Sequence, residues 1–428
     1  MNAAFVQVWA RGVLGFGPRL RPGGLALGAD VERGDGEFVL DRARRHGPIF
    51  TFRAANRLAI GVTGFDTIRR LLRDHQADLG YLTYDLPLLM PGGILRAMTG
   101  EQHQRYRALF AAALYADLLQ QREADLFGIA QEALAAMAAA LAEGTAPQAA
   151  LATALERFAL RGLLLLMVGL LQADPRFAAL DQGLRMIWPD GPSMHVGRQQ
   201  QAGFAAVRAV LDPLAAALAR GEVPEASDAV LPRLIAAGGD PTDATLLGNL
   251  VMMLELGRTE VRCLLAWALK YLGEDPGTVA ELSRLAAAGP GQAAALRALS
   301  EACVQETLRL DQAEALMRVV TRSFTFEGHR FPAGARLRLL LRESHRDPAL
   351  FEAAESFRPA RFLPPAHPEA AYRPFGVGAQ FAIRLSALVL ETLAAGFDWR
   401  VLADGPRHRG IHHCQPSPDF AIGLARRG

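Results

Sequence analysis

The sequence predicts a mainly α protein with small β-sheets, an α+β class organised around one long central helix. Three observations carry this expectation. Helical spacing and alanine-rich composition run from about residue 100 to 310 with few interruptions. The segment "ATLLGNLVMMLELGRTEVRCLLAWALKYL", 244–272, is apolar nearly all round and free of proline, as a helix through the middle of a fold would be. Short β-rich runs flank this body, "GPIFTFRAANRLAIGVTG" at 47–64 on one side, "MRVVTRSFTFEGHRF" and "ARLRLLL" on the other.

In chain order, 47–64 has two β-rich stretches around a polar turn and reads as a hairpin, and "DTIRRLLRDH" after it has helical spacing. An irregular stretch, 75–99, is rich in Gly, Pro and Tyr. The helical body opens with "EQHQRYRALFAAAL" and breaks at "AEGTAP", "WPDGPSMHVG" and "AAGGDPTD", where Gly, Pro and Asp cluster. Its longest apolar run, "GLLLLMVGLL" at 162–171, is too short to span a bilayer and reads as a buried helix. Strands follow "ACVQETLRL", then a long loop with "SHRDP" and "FRPARFLPP", a glycine-rich stretch, another helix and short terminal strands. A single domain over 1–428 is expected, with a β-rich lobe at about 36–75, a helical body at about 100–310 and a mixed C-terminal part at about 311–428.

A chain of 428 residues with 51% hydrophobic content can bury a large core. Forty-six basic against 44 acidic residues leave a formal charge of +2, so no field argues for nucleic acid as a partner. The three cysteines, Cys263, Cys303 and Cys414, lack metal-ligand or redox spacing, and no metal site is expected. That usage fits a reducing compartment and makes the cytoplasm the expected location. The start of the chain lacks the pattern of a secretory signal. "AFVQVWARGVLGF" near it reads either as a segment that grazes a membrane or as the cap of a domain.

Glu306 and Arg309 in "ETLRL" are a helical i, i+3 pair, which alone is usually a surface salt bridge. About fifty residues later "FRPARF" supplies Arg361, and "FGVGAQFAIR" follows at 375–384. In this order, with "HRDP" between them, these elements resemble the cytochrome P-450 haem-thiolate monooxygenases over nearly the whole chain. The resemblance implies the cytochrome P-450 fold, a triangular prism of helices with a long central helix. It also implies that Glu306, Arg309 and Arg361 form a buried structural triad, with Ala360 where the family usually has an acid. His103 and Arg107 in "GEQHQRYRALF", and Arg318, match positions that bind the haem propionates. "DQA" replaces the family's "HPP" after the helical pair.

The ligand loop departs further. The family pattern is Phe, Gly, any, Gly, any, His or Arg, any, Cys, any, Gly; here the positions carry Phe375, Gly376, Gly378, Gln380, Ala382 and Arg384. Ala382 stands where the ligand cysteine belongs, and a methyl group cannot coordinate iron or supply the thiolate push that cleaves bound oxygen. Gln380 replaces a propionate-pairing cation. Arg384 replaces a glycine packed closely against haem and is expected to obstruct the site. In the central helix, "LGRTEV" puts Thr259 and Glu260 where the family has the acid and the hydroxyl that relay protons to oxygen.

Glu255, Arg258, Glu260 and Arg262 are spaced to pair along one face of the helix, and Glu260 is alternatively an acid or base in the pocket. His103, Arg107 and Arg318 are either neutralised by nearby carboxylates or bind an anionic group. His412 and His413, in what resembles the family's terminal hairpin, are either solvent-exposed or turned toward substrate. Met186, Trp188 and Met194 line an apolar entrance or simply pack a lid.

The resulting expectation is a cytochrome P-450-like protein without thiolate haem ligation and without conventional oxygen activation, with no cofactor. It binds a small apolar molecule in specialised-metabolite biosynthesis and catalyses a non-redox step through Glu260, Thr259, His412 and His413. One alternative is a non-catalytic auxiliary protein that stabilises or activates a partner biosynthetic enzyme. Another is haem held by the propionate cluster with a non-thiolate ligand. No membrane span is expected in any of these readings.

Overall fold

The structure, a computed structural model, describes residues 38–54, 57–82, 85–114, 116–188, 196–222, 228–312, 316–364, 372, 378–405, 408–409, 414–417 and 419–427. The readings placed on 4–16, Met194, Phe375, Gly376, His412 and His413 lie outside these residues.

The chain begins with α1 (Phe38–His46), the strands β1 (Ile49–Ala54) and β2 (Arg57–Val62), α2 (Phe65–His75) and β3 (Leu79–Tyr81). A helical series follows: α3 (Gly100–Ala113), α4 (Ala116–Gln121), α5 (Glu123–Ala142), α6 (Pro147–Val168), α7 (Pro175–Ile187), α8 (Arg198–Ala219) and α9 (Val230–Ala236). It continues with α10 (Ala244–Glu274), α11 (Pro276–Ala287) and α12 (Ala293–Thr307). Then come β4 (Leu316–Val320), β5 (Phe324–Phe326), β6 (His329–Phe331), β7 (Arg336–Leu339) and α13 (Leu341–His345). The chain closes with α14 (Ala379–Gly396), β8 (Phe397–Ala403), β9 (His408–Arg409), β10 (Cys414–Gln415) and β11 (Ala421–Arg426).

These elements form two compact units, Met1–Leu82 with Glu306–Pro374 and Gly405–Pro418, and Thr83–Gln305 with Phe375–Asp404 and Asp419–Gly428. The first holds a mixed sheet in the order β1-β2-β7-β4-β3. The expected hairpin is its edge, with Ile49 opposite Val62 and Phe52 opposite Ala59, while β2 runs parallel to β7. Alternation puts Ile49, Ile60 and Val62 in one apolar cluster with Phe65 and Leu337, and Phe50 and Phe52 in another with Leu340. Glu327 and Gly328, both with positive φ, make the two-residue turn between β5 and β6, the conformation that matches the twist of a hairpin.

The second unit is helical. Asp243 starts α10 by accepting from the amides of Thr245 and Leu246, and the helix then runs through Glu274. Its apolar sides join α6 in one core that includes Leu163, Leu164, Leu250, Val261 and Leu265. Residues 162–168 of the leucine-rich run are buried in α6, as the sequence predicts. Helices α7 and α8 approach through Gly183 and Gly203; a Cβ on Gly203 would come within 2.7 Å of the Gly183 carbonyl oxygen. Helices α5, α8 and α14 are long and apolar enough to cross a membrane by length and composition; in α14 most of the apolar window is buried inside the protein.

Candidate functional site

The predicted triad is assembled inside the first unit. Glu306 ends α12 and Arg309 lies in the π-helical turn Leu308–Gln312 that follows, and neither side chain is exposed. The widened turn brings the guanidinium alongside the carboxylate, and two bonds of 2.8 Å join them in bidentate fashion. Arg361, in the turn Pro359–Phe362, donates to Glu306 at 3.1 Å, and the Arg358 amide donates to the same oxygen at 2.8 Å. The remaining Arg309 donors reach the carbonyls of His345, Ala354 and Ser356. Arg361 also donates to the carbonyl of Ala353, whose φ of 46° is unusual for a residue other than glycine. The triad thus ties residues 306–309, α13 and the 353–361 loop together.

His345, from the "SHRDP" stretch, packs against the rings of Phe65, Phe351 and Tyr372. Burial, followed by the nearby Arg309 charge, pushes its imidazole down to about 3. It is neutral and serves as packing.

In the second unit, the expected pairing on α10 is present between Glu255 and Arg258, at 2.5 and 3.1 Å. Sequence reasoning missed the third member, Glu156 of α6, which accepts from Arg258 and, at 3.4 Å, from Arg262. Arg258 also donates to the carbonyl of Trp188 at 3.0 Å. An acid inside the apolar α6 pattern was the available signal. Thr259 is buried and its hydroxyl donates back to the Glu255 carbonyl at 3.4 Å, while Glu260 is half-buried on the same helix. Trp188 is fully packed in the helical core and Met186 lies at the crossing of α7 and α8, which is the lid-packing reading of these residues.

Burial pushes the Glu255 carboxyl up to about 7, against the opposing pull of Arg258. Arg258 is held above its ordinary value: burial works against its charge, but its two carboxylates outweigh that. The folded protein therefore retains a proton on Glu255 that the unfolded chain releases near pH 4.5, so this group's contribution to stability falls as pH rises from about 4.5 to about 7. The change is on the order of 3 kcal/mol. Glu255→Gln is expected to flatten that part of the stability profile in urea titrations between pH 5 and pH 8. An unaltered slope would reject the assignment.

The residues matched to propionate binding divide between the units. On α3, His103 is half-buried and Arg107 exposed. Arg318 is on β4, with its guanidinium 4.0 Å from the centre of the Tyr81 ring and one bond of 2.9 Å to the Met317 carbonyl.

Gly378 caps α14, Gln380 is exposed, and Ala382 is half-buried in the first turn, its amide bonded to the Gly378 carbonyl at 3.0 Å. Its methyl group offers no donor, and Cys263 and Cys303 are buried thiols on α10 and α12. The residue at this position does not fit thiolate ligation of haem. Arg384 corrects an expectation. Its side chain does not stand free to obstruct a ligand but is buried in the helical unit, bonded to Glu391 one face along α14 and to Glu123 of α5, with Glu301 of α12 at 3.8 Å. Arg297 completes the cluster, 3.0 Å from Glu123 and 3.6 Å from Glu301. Burial holds the carboxyls of both Glu391 and Glu301 above their ordinary value, with Arg384 opposing.

This mainly helical body, with its small sheets and buried Glu–Arg–Arg triad, defines the class as a cytochrome P-450 fold. Residues 290–408 match the family model for cytochrome P-450. The chain is 26% identical over 396 residues to the putative cytochrome P-450 120 of Synechocystis sp., covering 86% of this chain and 87% of that protein. It is 32% identical over 193 residues to cyclooctatin synthase of Streptomyces melanosporofaciens, a match spanning 40% of this chain and 42% of that one. The structure of cyanobacterial CYP120A1 with retinoic acid bound superposes with a TM-score of 0.71 at 22% identity, covering 92% of this chain and 95% of the other. The chain is thus similar to cytochrome P-450 proteins in sequence, most directly over residues 290–408, and shares their fold along nearly its whole length.

Proposed function

We propose that this chain is a haem-free member of the superfamily that binds a small apolar molecule and carries out a non-redox step on it. The observation that carries the reading is the pair on the first turns of α14: Ala382 has no ligand atom, and Arg384 is tied into a carboxylate cluster. Two substitutions within three residues, one removing the metal ligand and one building a buried charge network, go beyond a single loss. The apolar ligand is supported by the retinoic acid bound to the structural neighbour, a largely hydrocarbon molecule. Glu260, half-buried on α10, together with Thr259, His412 and His413, supplies the acid and base groups. The compartment is the cytoplasm, in keeping with Cys263 and Cys303 as buried thiols.

A second reading, an auxiliary protein that stabilises a partner biosynthetic enzyme, is favoured by the intact triad, which maintains shape without supplying chemistry. The two separate by variant assay: Glu260→Gln abolishes product formation in the first and leaves partner activation untouched in the second. Absorption spectroscopy tests the premise of both. Protein purified after expression with ample haem precursor is expected to lack a Soret band, and Ala382→Cys to take up haem at most weakly. A stoichiometric Soret band in the natural protein would overturn the reading in favour of haem held by a non-thiolate ligand.

A further inference from the structure

A cleft of about 550 Å³ opens in the helical unit and is lined by residues of α6, α7 and α10. Its volume is within the range of small-molecule sites. Five arginines reach it, Arg157 and Arg161 from α6, Arg185 from α7, and Arg258 and Arg262 from α10, against only Glu156 and Asp181 among the lining residues.

The carboxylates are too few for these cations. Glu156 is shared by Arg258, by Arg262 at 3.4 Å and, at 3.8 Å, by Arg185, whose closer partner is Asp181 at 2.6 Å. Arg157 is exposed and has no carboxylate partner among the described residues. Arg161 forms an ion pair through Nη1 with Glu132 at 2.7 Å, but its buried Nε has no hydrogen-bond partner. Counting Glu132 and Glu255, which reach Arg161 and Arg258, five cations still face four carboxylates, and burial keeps Glu255 partly protonated near neutrality.

The spacing narrows the ligand. Arg157 and Arg161 are an i, i+4 pair on α6 that presents two guanidinium groups on one face, while on α10 Arg262 lines the cleft and Arg258 is engaged by Glu255, Glu156 and the Trp188 carbonyl. Guanidinium forks match phosphoryl oxygens in bidentate geometry, and several such groups along one cleft suit two linked phosphoryl groups better than one. Leu160 and Phe177 add an apolar wall to the cleft.

We propose that this cleft is a binding site for a diphosphate group, held by Arg157 and Arg161 of α6 together with Arg262 of α10. The assignment stands independently of whether haem binds elsewhere in the protein. Its probes are inorganic diphosphate and octyl diphosphate, titrated calorimetrically into the full-length protein at low and at moderate salt.

Binding of either probe, weakened by about tenfold or more in Arg157→Gln/Arg262→Gln and weakened by salt, supports the proposal. Tighter binding of octyl diphosphate assigns the site to an organic ester lying on Leu160 and Phe177, and equal affinity assigns it to the free anion. Both replaced arginines lie outside the core, and Arg157→Gln alone breaks no ion pair among the described residues, so a fold defect does not mask the result. Arg220→Gln, an exposed cation paired with Glu222 at a helix end, is the control and should bind as the natural protein does. Failure of both probes to bind below about 1 mM overturns the proposal, as does equal affinity in the double variant and the control.

Discussion

Glu306→Gln is expected to lose about 3–5 kcal/mol of stability, the largest effect of any single substitution in the first unit. The charge lost is the counter-ion of Arg309, and both side chains are wholly inaccessible, so the guanidinium would remain buried without its anion. Its carbonyl partners at His345, Ala354 and Ser356 do not neutralise it. With typical domain stabilities of about 5–15 kcal/mol, such a loss takes the unit to the edge of unfolding at moderate temperature. Arg361→Gln, removing the member with 12% exposed side chain, is expected to cost less, about 1–2 kcal/mol. Urea denaturation followed by far-UV dichroism measures both. Equal midpoints for Glu306→Gln and the natural protein would show that the triad contributes no stability.

Arg384→Gly, which restores the residue that the ligand loop of the family carries, is expected to destabilise this chain by about 3–5 kcal/mol. It leaves Glu391, Glu123 and Glu301 with Arg297 alone, and places a glycine inside α14, itself worth about 1 kcal/mol. Glu391 is the most deeply buried of the three carboxylates and is already raised by burial; without Arg384 it is raised further. The deficit is therefore smaller at acid pH, where Glu391 is protonated, and grows as pH rises. Glu391→Leu added to Arg384→Gly should recover a large part of the loss, because it removes the uncompensated charge and leaves an apolar side chain among apolar neighbours. Thermal melts at pH 5 and pH 8 distinguish the cases, and a single variant as stable as the natural protein at both would remove the cluster from the account. The consequence for function is direct. A variant with Cys at 382 and Gly at 384 is therefore expected to need a change at 391 as well, to remove the carboxylate that Arg384 neutralises.

Much of the fold was legible in local pattern. The hairpin at 49–62, the central helix beginning at the Asp243 cap and the β-rich segment after 316 all follow from periodicity, caps and turn residues that act within a few positions. The triad was legible because its three members occur at a recognisable order and spacing, and the structure brings all three together. Glu156 and Glu123 were not legible as partners. They stand 102 residues from Arg258 and 261 from Arg384, and nothing local to either marks it for that arginine.

What the sequence determined by itself is the residue at 382, the pattern of helices and strands, and the presence of arginines inside apolar helices. An arginine in such a helix reads the same whether it faces solvent, a ligand or a distant carboxylate. Only the tertiary structure decided that Arg258 and Arg384 are neutralised within the protein while Arg157 and Arg262 remain toward a cleft. A buried charge is tolerated only beside an opposite one, and that partner is delivered by packing between helices far apart in the chain.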